Sequence, residues 1–242
     1  MKELPLPARW MLVAIYLLGM AAVFLIMTRV PVPAGGGTVP ELCLFIVLAA
    51  AAGHRKVTLL RIGDSNLDKN HGSMSLGFAM IFATMLRFGP QGALLAGFAS
   101  TVASCLHPRQ PWYQFLFNIA VNLIDTAIAS LVFLTLNGNT LDLRDWHAFP
   151  AVSAACLSFF FVNTIIVATI IGICTGRSPI PIWRESFLWT APSYFLGAGI
   201  STVASVVIGN KLLATLLCAV PIALLTHASF RSYLKHAADL ID

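Results

Sequence analysis

The chain has 242 residues, of which 58% are hydrophobic and 10% charged, and its mean hydropathy is +0.83. A soluble globular domain is about 45–50% apolar and about 25% charged. The composition therefore excludes an ordinary soluble enzyme, a disordered chain and a nucleic-acid-binding module, because one buried core cannot absorb so many apolar side chains. A lipid bilayer accommodates an apolar surface. The formal net charge of +5 then fits basic cytoplasmic loops.

Eight apolar segments, each a candidate for a spanning helix of about 20 residues, predict an all-α integral membrane protein with a bundle of about eight helices. The segments are residues 10–28, 40–53, 74–88, 90–106, 112–136, 149–174, 187–208 and 212–226. The first is predicted to be a retained signal-anchor, and the Gly89-Pro90 turn joins the third to the fourth. The second and third are short enough to be tilted, re-entrant or unwound, so counts of six or seven spans stay open.

The distribution of basic residues predicts the orientation. With eight spans and both termini inside, eleven of the fifteen lysines and arginines lie on the cytoplasmic side and four lie outside. We therefore predict a bacterial inner-membrane protein with both termini cytoplasmic. Residues 1–228 form the polytopic domain, and residues 229–242 form a juxtamembrane helix that continues the last span.

Tryptophans lie at or near the ends of the predicted segments, where indole rings favour the headgroup region. The five positions are Trp10, Trp112, Trp146, Trp183 and Trp189. This placement supports the segment boundaries independently of hydropathy.

Small residues recur every four positions in the fourth and seventh segments, a spacing that allows helices to approach closely in lipid. These predicted helix-packing residues are Gly92, Ala96, Ser100 and Ser104 in the fourth segment and Gly197, Ser201, Ser205 and Gly209 in the seventh.

A polar stripe crosses the fifth segment. Asn118, Asn122 and Asp125 are spaced i, i+4 and i+7 and so share one helical face. Asp125 is the only carboxylate in the middle of a predicted span, and ionisable groups at that depth usually face the bundle interior. We predict that Asn163 of the sixth segment faces it. The four residues form either a ligand, ion or proton site or an interhelical hydrogen-bond clamp.

Catalytic and metal-binding patterns are lacking in the sequence. The five cysteines fit small, reduced helix residues, the six histidines form no HxxxH or HxxE cluster, and there is no P-loop, GxSxG or GxGxxG. We therefore predict that the chain is not an enzyme and has no metal site and no cofactor.

Several stretches resemble the multi-pass N-terminal membrane domain of bacterial HD-GYP and GGDEF cyclic-di-GMP signalling proteins, from about residue 40 onward. The stretches are LRFGP at 86–90, FLFN at 115–118, VFLTLNG at 132–138, FVNT at 161–164, TGR at 175–177, WRESFLW at 183–189 and SFRSYL at 229–234. The resemblance implies a sensor or anchor module whose last helix carries a signal to a cytoplasmic output. The printed sequence stops where such an output would begin, so we expect a truncated or stand-alone copy, or an output on another polypeptide.

This resemblance gives roles to two groups of residues. Arg184, Glu185 and Trp189 are expected to fix the seventh helix at the interface, and Phe230, Arg231 and Tyr233 are expected to couple to a cytoplasmic or membrane-complex partner. Homo-oligomers are compatible with this arrangement. Two alternatives stay open: a small-solute transporter or substrate-binding subunit, similar in texture to the S components of energy-coupling-factor systems, and a structural subunit of a larger membrane complex.

Overall fold

The structure is a computed structural model that describes residues 4–32, 37–54, 56–58, 73–75, 77–106, 111–143 and 148–207. The helices are α1 (Leu6–Arg29), α2 (Val39–His54), α3 (Gly77–Leu106), α4 (Trp112–Leu136), α5 (Ala148–Thr175), α6 (Pro179–Ser186) and α7 (Ala191–Val207), with a 3-10 turn at Leu188–Thr190 between α6 and α7. Between α2 and α3, the strands β1 (Lys56–Thr58) and β2 (Ser73–Ser75) pair in antiparallel register, with Val57 opposite Met74.

Four helices are long and apolar enough to cross a membrane by length and composition, namely α1, α3, α4 and α5, when the 30 residues of α3 on both sides of Gly89 are counted as one helix. The protein is therefore a helical membrane protein, as the composition predicts, but the predicted count of about eight spans is not confirmed. The predicted eighth segment, Gly209 and the juxtamembrane residues Phe230, Arg231 and Tyr233 lie outside the described residues.

A sharp turn divides α3 at Gly89, whose φ of 76° and ψ of −167° are not helical. A Cβ atom placed on Gly92 would lie 3.4 Å from Cγ2 of Thr84, eight residues earlier, whereas eight residues of continuous helix advance about 12 Å. The two parts of α3 therefore turn back on each other, as the Gly89-Pro90 sequence predicts. The first part begins at Gly77, because the residues around Met74 form β2.

Helix α2 lies along both parts of α3. It starts beside the turn, where Glu41 pairs with Arg87 at 3.1 Å, and it ends beside the second part, where Gly53 faces Ser100. One apolar cluster joins the three segments, and it contains Phe45, Ala49, Ala52, Met80, Ala83, Phe88 and Ala96. The short segments therefore form one compact side of the bundle.

The main core lies between α3, α4, α5 and α7. Phe82 and Phe133 are the largest of its almost fully buried side chains. Helix α4 contacts α1 on its other side, where Leu12 and Ile15 pack against Phe117 and Val121. Because α4 lies between these groups, a polar side chain in its middle can be enclosed by neighbouring helices.

The predicted seventh segment begins too early. Residues 179–186 form the short helix α6, and α7 starts only at Ala191. Arg184 and Glu185, which are expected to fix the seventh helix at the interface, lie on α6 just before the predicted segment 187–208. Pro179 at the start of α6 favours a new helix there, and the left-handed Gly176, with φ of 68°, separates it from α5.

Candidate intramembrane polar site

The middle of α4 holds a fully buried carboxylate. Asp125 has 0% exposure, and its Oδ2 accepts a hydrogen bond of 2.6 Å from Nδ2 of Asn163 on α5. Its Oδ1 accepts a longer bond of 3.3 Å from the Thr126 hydroxyl. The structure therefore brings Asp125 and Asn163 together, as predicted from the rarity of polar residues in these two segments.

No positive side chain neutralises this carboxylate among the described residues. The ion pairs there join Glu41 to Arg87 and Glu185 to Arg177. The hydrogen-bond donors to Asp125 are neutral, so they do not offset the negative charge of its carboxylate. A buried charge without a partner of opposite charge is costly. This imbalance makes Asp125 the chemically unusual group of the bundle.

Asn122 and Gly97 form the next part of the site. Oδ1 of Asn122 is buried and accepts no hydrogen bond from the part of the chain that the structure describes. A Cβ atom on Gly97 of α3 would overlap this oxygen and would lie 3.3 Å from Oγ1 of Thr126. Glycine at position 97 therefore leaves room for two oxygen atoms of α4 to approach the same point on α3.

The third stripe residue lies apart from Asp125. Nδ2 of Asn118 lies 3.7 Å from Sγ of Cys105 near the end of α3. The stripe follows the boundary of α4 with its neighbours, so Asn118 and Asn122 meet α3 whereas Asp125 meets α5. The structure thus divides the four predicted site residues into a central pair, Asp125 and Asn163, and two flanking amides.

A second polar contact begins at the residue after Asn163. Nε1 of Trp183 on α6 donates a hydrogen bond of 2.9 Å to Oγ1 of Thr164, which in turn donates to the Phe160 carbonyl at 2.6 Å. The indole also stacks on Phe161, with ring centroids 5.9 Å apart. Trp183 therefore packs against α5, a contact that its predicted place near a segment end does not indicate.

Tyr194 connects α7 to the same region. Its ring lies 4.6 Å from that of Phe78 and 5.3 Å from that of Phe160, measured between centroids. No sequence pattern assigns Thr126, Trp183 or Tyr194 to this site, and the placement of the tryptophans predicts only that Trp183 lies near a membrane interface. Only the position of Thr126 next to Asp125 offered a signal.

Most of the predicted small-residue positions that are described lie at helix contacts, whereas Ser104 and Ser205 bond within their own helices. Ser100 faces Gly53 of α2, where an added Cβ would overlap the Ser100 carbonyl oxygen. Ser201 donates 2.9 Å to the Ala79 carbonyl, and an added Cβ on Gly197 would lie 3.2 Å from the Phe78 ring. Gly92 and Ala96 are buried, while the hydroxyls of Ser104 and Ser205 donate within their own helices to Thr101 and Ser201.

The predicted interface residues lie on or next to α6. Arg184 and Glu185 are exposed, and Glu185 approaches Arg177 at 3.8 Å. Trp189 belongs to the 3-10 turn before α7. Trp10 and Trp112 are largely exposed near the first residues of α1 and α4, as expected for rings at a membrane interface.

The sequence profile of one protein family, MASE9, which comprises membrane-associated sensor domains, matches residues 69–232. The matched range covers more than half of the chain and contains the described helices from α3 to α7. No curated protein and no solved structure matched the chain.

Proposed function

Because the chain belongs to the MASE9 family of membrane-associated sensor domains, we propose that it is a bacterial inner-membrane sensor module that detects a small ligand inside its helix bundle. The proposal that the module binds a ligand rests on the fully buried Asp125. This carboxylate accepts a hydrogen bond from Asn163 and has no positive partner among the described residues. Such groups are rarely kept in a membrane unless they have a function.

Two adjacent residues of α5 connect this input to the helices that follow. Asn163 contacts Asp125, and Thr164 contacts Trp183 of α6. A change in the Asp125–Asn163 bond is therefore transmitted to α6, and from α6 through the 3-10 turn to α7. We propose that this movement continues into residues 229–242 and that both termini lie in the cytoplasm.

The output is proposed to be an enzyme of cyclic-di-GMP metabolism, either attached beyond residues 229–242 or on another polypeptide. The support is the resemblance of the sequence to N-terminal domains of HD-GYP and GGDEF proteins. In this proposal the membrane module itself catalyses no reaction. Phe230, Arg231 and Tyr233 contact the output and transmit the movement of α7.

The coupling is tested by purifying the full chain from native membranes and measuring cyclic-di-GMP synthesis and degradation in the purified material. We expect activity to co-purify with the full chain and to be lost when residues 229–242 are deleted. Asp125→Asn should leave co-purification intact but change the activity of the bound partner. The matched control is Asp142→Asn, which makes the same chemical change in an exposed position after α4. Undiminished recovery of activity after the deletion would contradict the coupling.

A second function, a small-solute transporter or substrate-binding subunit, draws support from the same site, since the unpartnered Asn122 oxygen suits a polar solute. It predicts saturable solute binding that Asp125→Asn weakens, with no change in partner activity. A purely structural subunit predicts stoichiometric partners and no effect of Asp125→Asn on any binding.

A further inference from the structure

We propose that the ligand of the Asp125 site is a proton, which binds the carboxylate and reorders the hydrogen bonds of Thr126 and Asn122. This inference deepens the proposed sensor function and rests on it. It starts from two features of the described residues that have no explanation in packing alone: a buried carboxylate without a positive partner and a buried amide oxygen without a donor.

The negative charge of the Asp125 carboxylate favours a ligand that carries one positive charge. Both carboxylate oxygens accept hydrogen bonds from neutral groups, Asn163 and Thr126. Neutral donors stabilise a carboxylate, but they do not remove its charge from the apolar interior. Adding one proton to one oxygen changes the charge of the group from negative to neutral and removes this cost.

The hydrogen bonds favour a proton over a metal cation. Once Oδ1 carries the proton, Asp125 donates to Oγ1 of Thr126, and the Thr126 hydroxyl is released to donate to Oδ1 of Asn122. Both of these oxygens already approach the same point at Gly97. The Asn163 bond to Oδ2 is kept. A hard metal cation would need about six oxygen ligands, whereas the side chains of Asp125, Thr126 and Asn122 bring four oxygens to this region.

The groups that surround Asp125 do not compete for this proton. On α3 the Cys105 thiol lies next to Asn118 of the stripe, and the nearby core holds Cys156 on α5 and Tyr194 on α7. Helix α1 presents Tyr16, whose hydroxyl donates 2.8 Å to the Tyr113 carbonyl. Thiols and phenols ordinarily lose their proton only in alkaline solution, so of these types of group the carboxylate is the one that changes charge on acidification.

Infrared difference spectroscopy of the full chain in lipid nanodiscs tests the proposal directly. Between about pH 5 and pH 9 we expect the carbonyl band of a protonated carboxylic acid to fade as the pH rises. Asp125→Asn should lack this band, and Asp142→Asn should keep it. Asn122→Leu removes the acceptor at the end of the chain of bonds, so the band should fade at a lower pH in this variant.

Thermal unfolding gives a second readout. The folded bundle favours the neutral acid, so acidification should raise the Tm of the wild-type chain relative to Asp125→Asn by about 3 °C or more. Sodium chloride in place of potassium chloride should have no effect that depends on Asp125.

Three results would overturn the proposal: no acid band in the wild-type chain at any pH, a band that persists unchanged to the alkaline end, or stabilisation by sodium that Asp125→Asn abolishes. If Asp125→Asn does not fold, the wild-type, Asn122→Leu and Asp142→Asn titrations still decide. None of these measurements requires the output partner. If the carboxylic-acid band does not titrate but the activity of the partner still responds to Asp125→Asn, the proton is rejected as the ligand. The sensor function is retained in that case.

Discussion

The contact between Gly53 of α2 and Ser100 of α3 gives the sharpest stability prediction. A Cβ atom on Gly53 would overlap the backbone oxygen, the carbonyl carbon and the side-chain oxygen of Ser100. A backbone group cannot rotate away as a side chain does, so Gly53→Ala should force α2 and α3 apart. Overpacking of this kind costs about 1–3 kcal/mol, and the higher helix propensity of alanine returns up to about 1 kcal/mol.

Because the overlap involves backbone atoms, we take about 2–3 kcal/mol for the overpacking, and about 1 kcal/mol returned by alanine leaves a net loss of about 1–2 kcal/mol. This corresponds to a fall in Tm of about 2–8 °C for a chain of this size. The measurement is thermal unfolding of the purified chain in detergent. Gly199→Ala is the matched control, because a Cβ there meets nothing within 4 Å in α7, so this variant should be neutral or slightly stabilised. If Gly53→Ala proved as stable as Gly199→Ala, the close approach of α2 to α3 would be wrong.

Two further predictions concern aromatic side chains and use the same assay. Trp183→Phe removes the donor to Thr164 but keeps the stack on Phe161, and it should lower the free energy of unfolding by about 1 kcal/mol. Its control is Trp112→Phe, at an exposed ring. Equal stability of the two variants would contradict the hydrogen bond. Phe82→Ala removes a ring that is only 1% exposed and should lower the free energy of unfolding by about 3–5 kcal/mol. Phe98→Ala, at a ring with 49% exposure, is its control and should cost much less.

Local sequence signals determined the helix boundaries that could be predicted. The predicted range 112–136 is the range of α4 in the structure, because Pro111 precedes its first turn and Asn137-Gly138 ends it. Gly138 and Asn139 have φ values of 65° and 58°, a conformation that these residue types tolerate. The prediction failed at α6, where apolar residues on both sides concealed a short helix that turns back along α5.

The part of the candidate site that could be predicted consists of residue types that are rare in membrane helices. Asp125 and Asn163 stand out because charged and amide side chains are scarce in apolar segments, and the structure joins them. Thr126, Trp183 and Tyr194 are residue types common in membrane helices. Their contribution depends on the angle of each helix and on the position of α6, which no local pattern specifies.

The turn at Gly89 has a consequence for the surrounding lipid. The parts of α3 at residues 77–88 and 90–106 are about 18 and 25 Å long, and α2 is about 24 Å long, whereas α4 and α5 reach about 38 and 42 Å. The apolar part of a bilayer is about 30 Å thick, and mismatch is relieved by tilting or by local thinning. One flank of the bundle is therefore shorter than the bilayer while the other exceeds it, so a change in acyl-chain length would strain the boundary between α3 and α4.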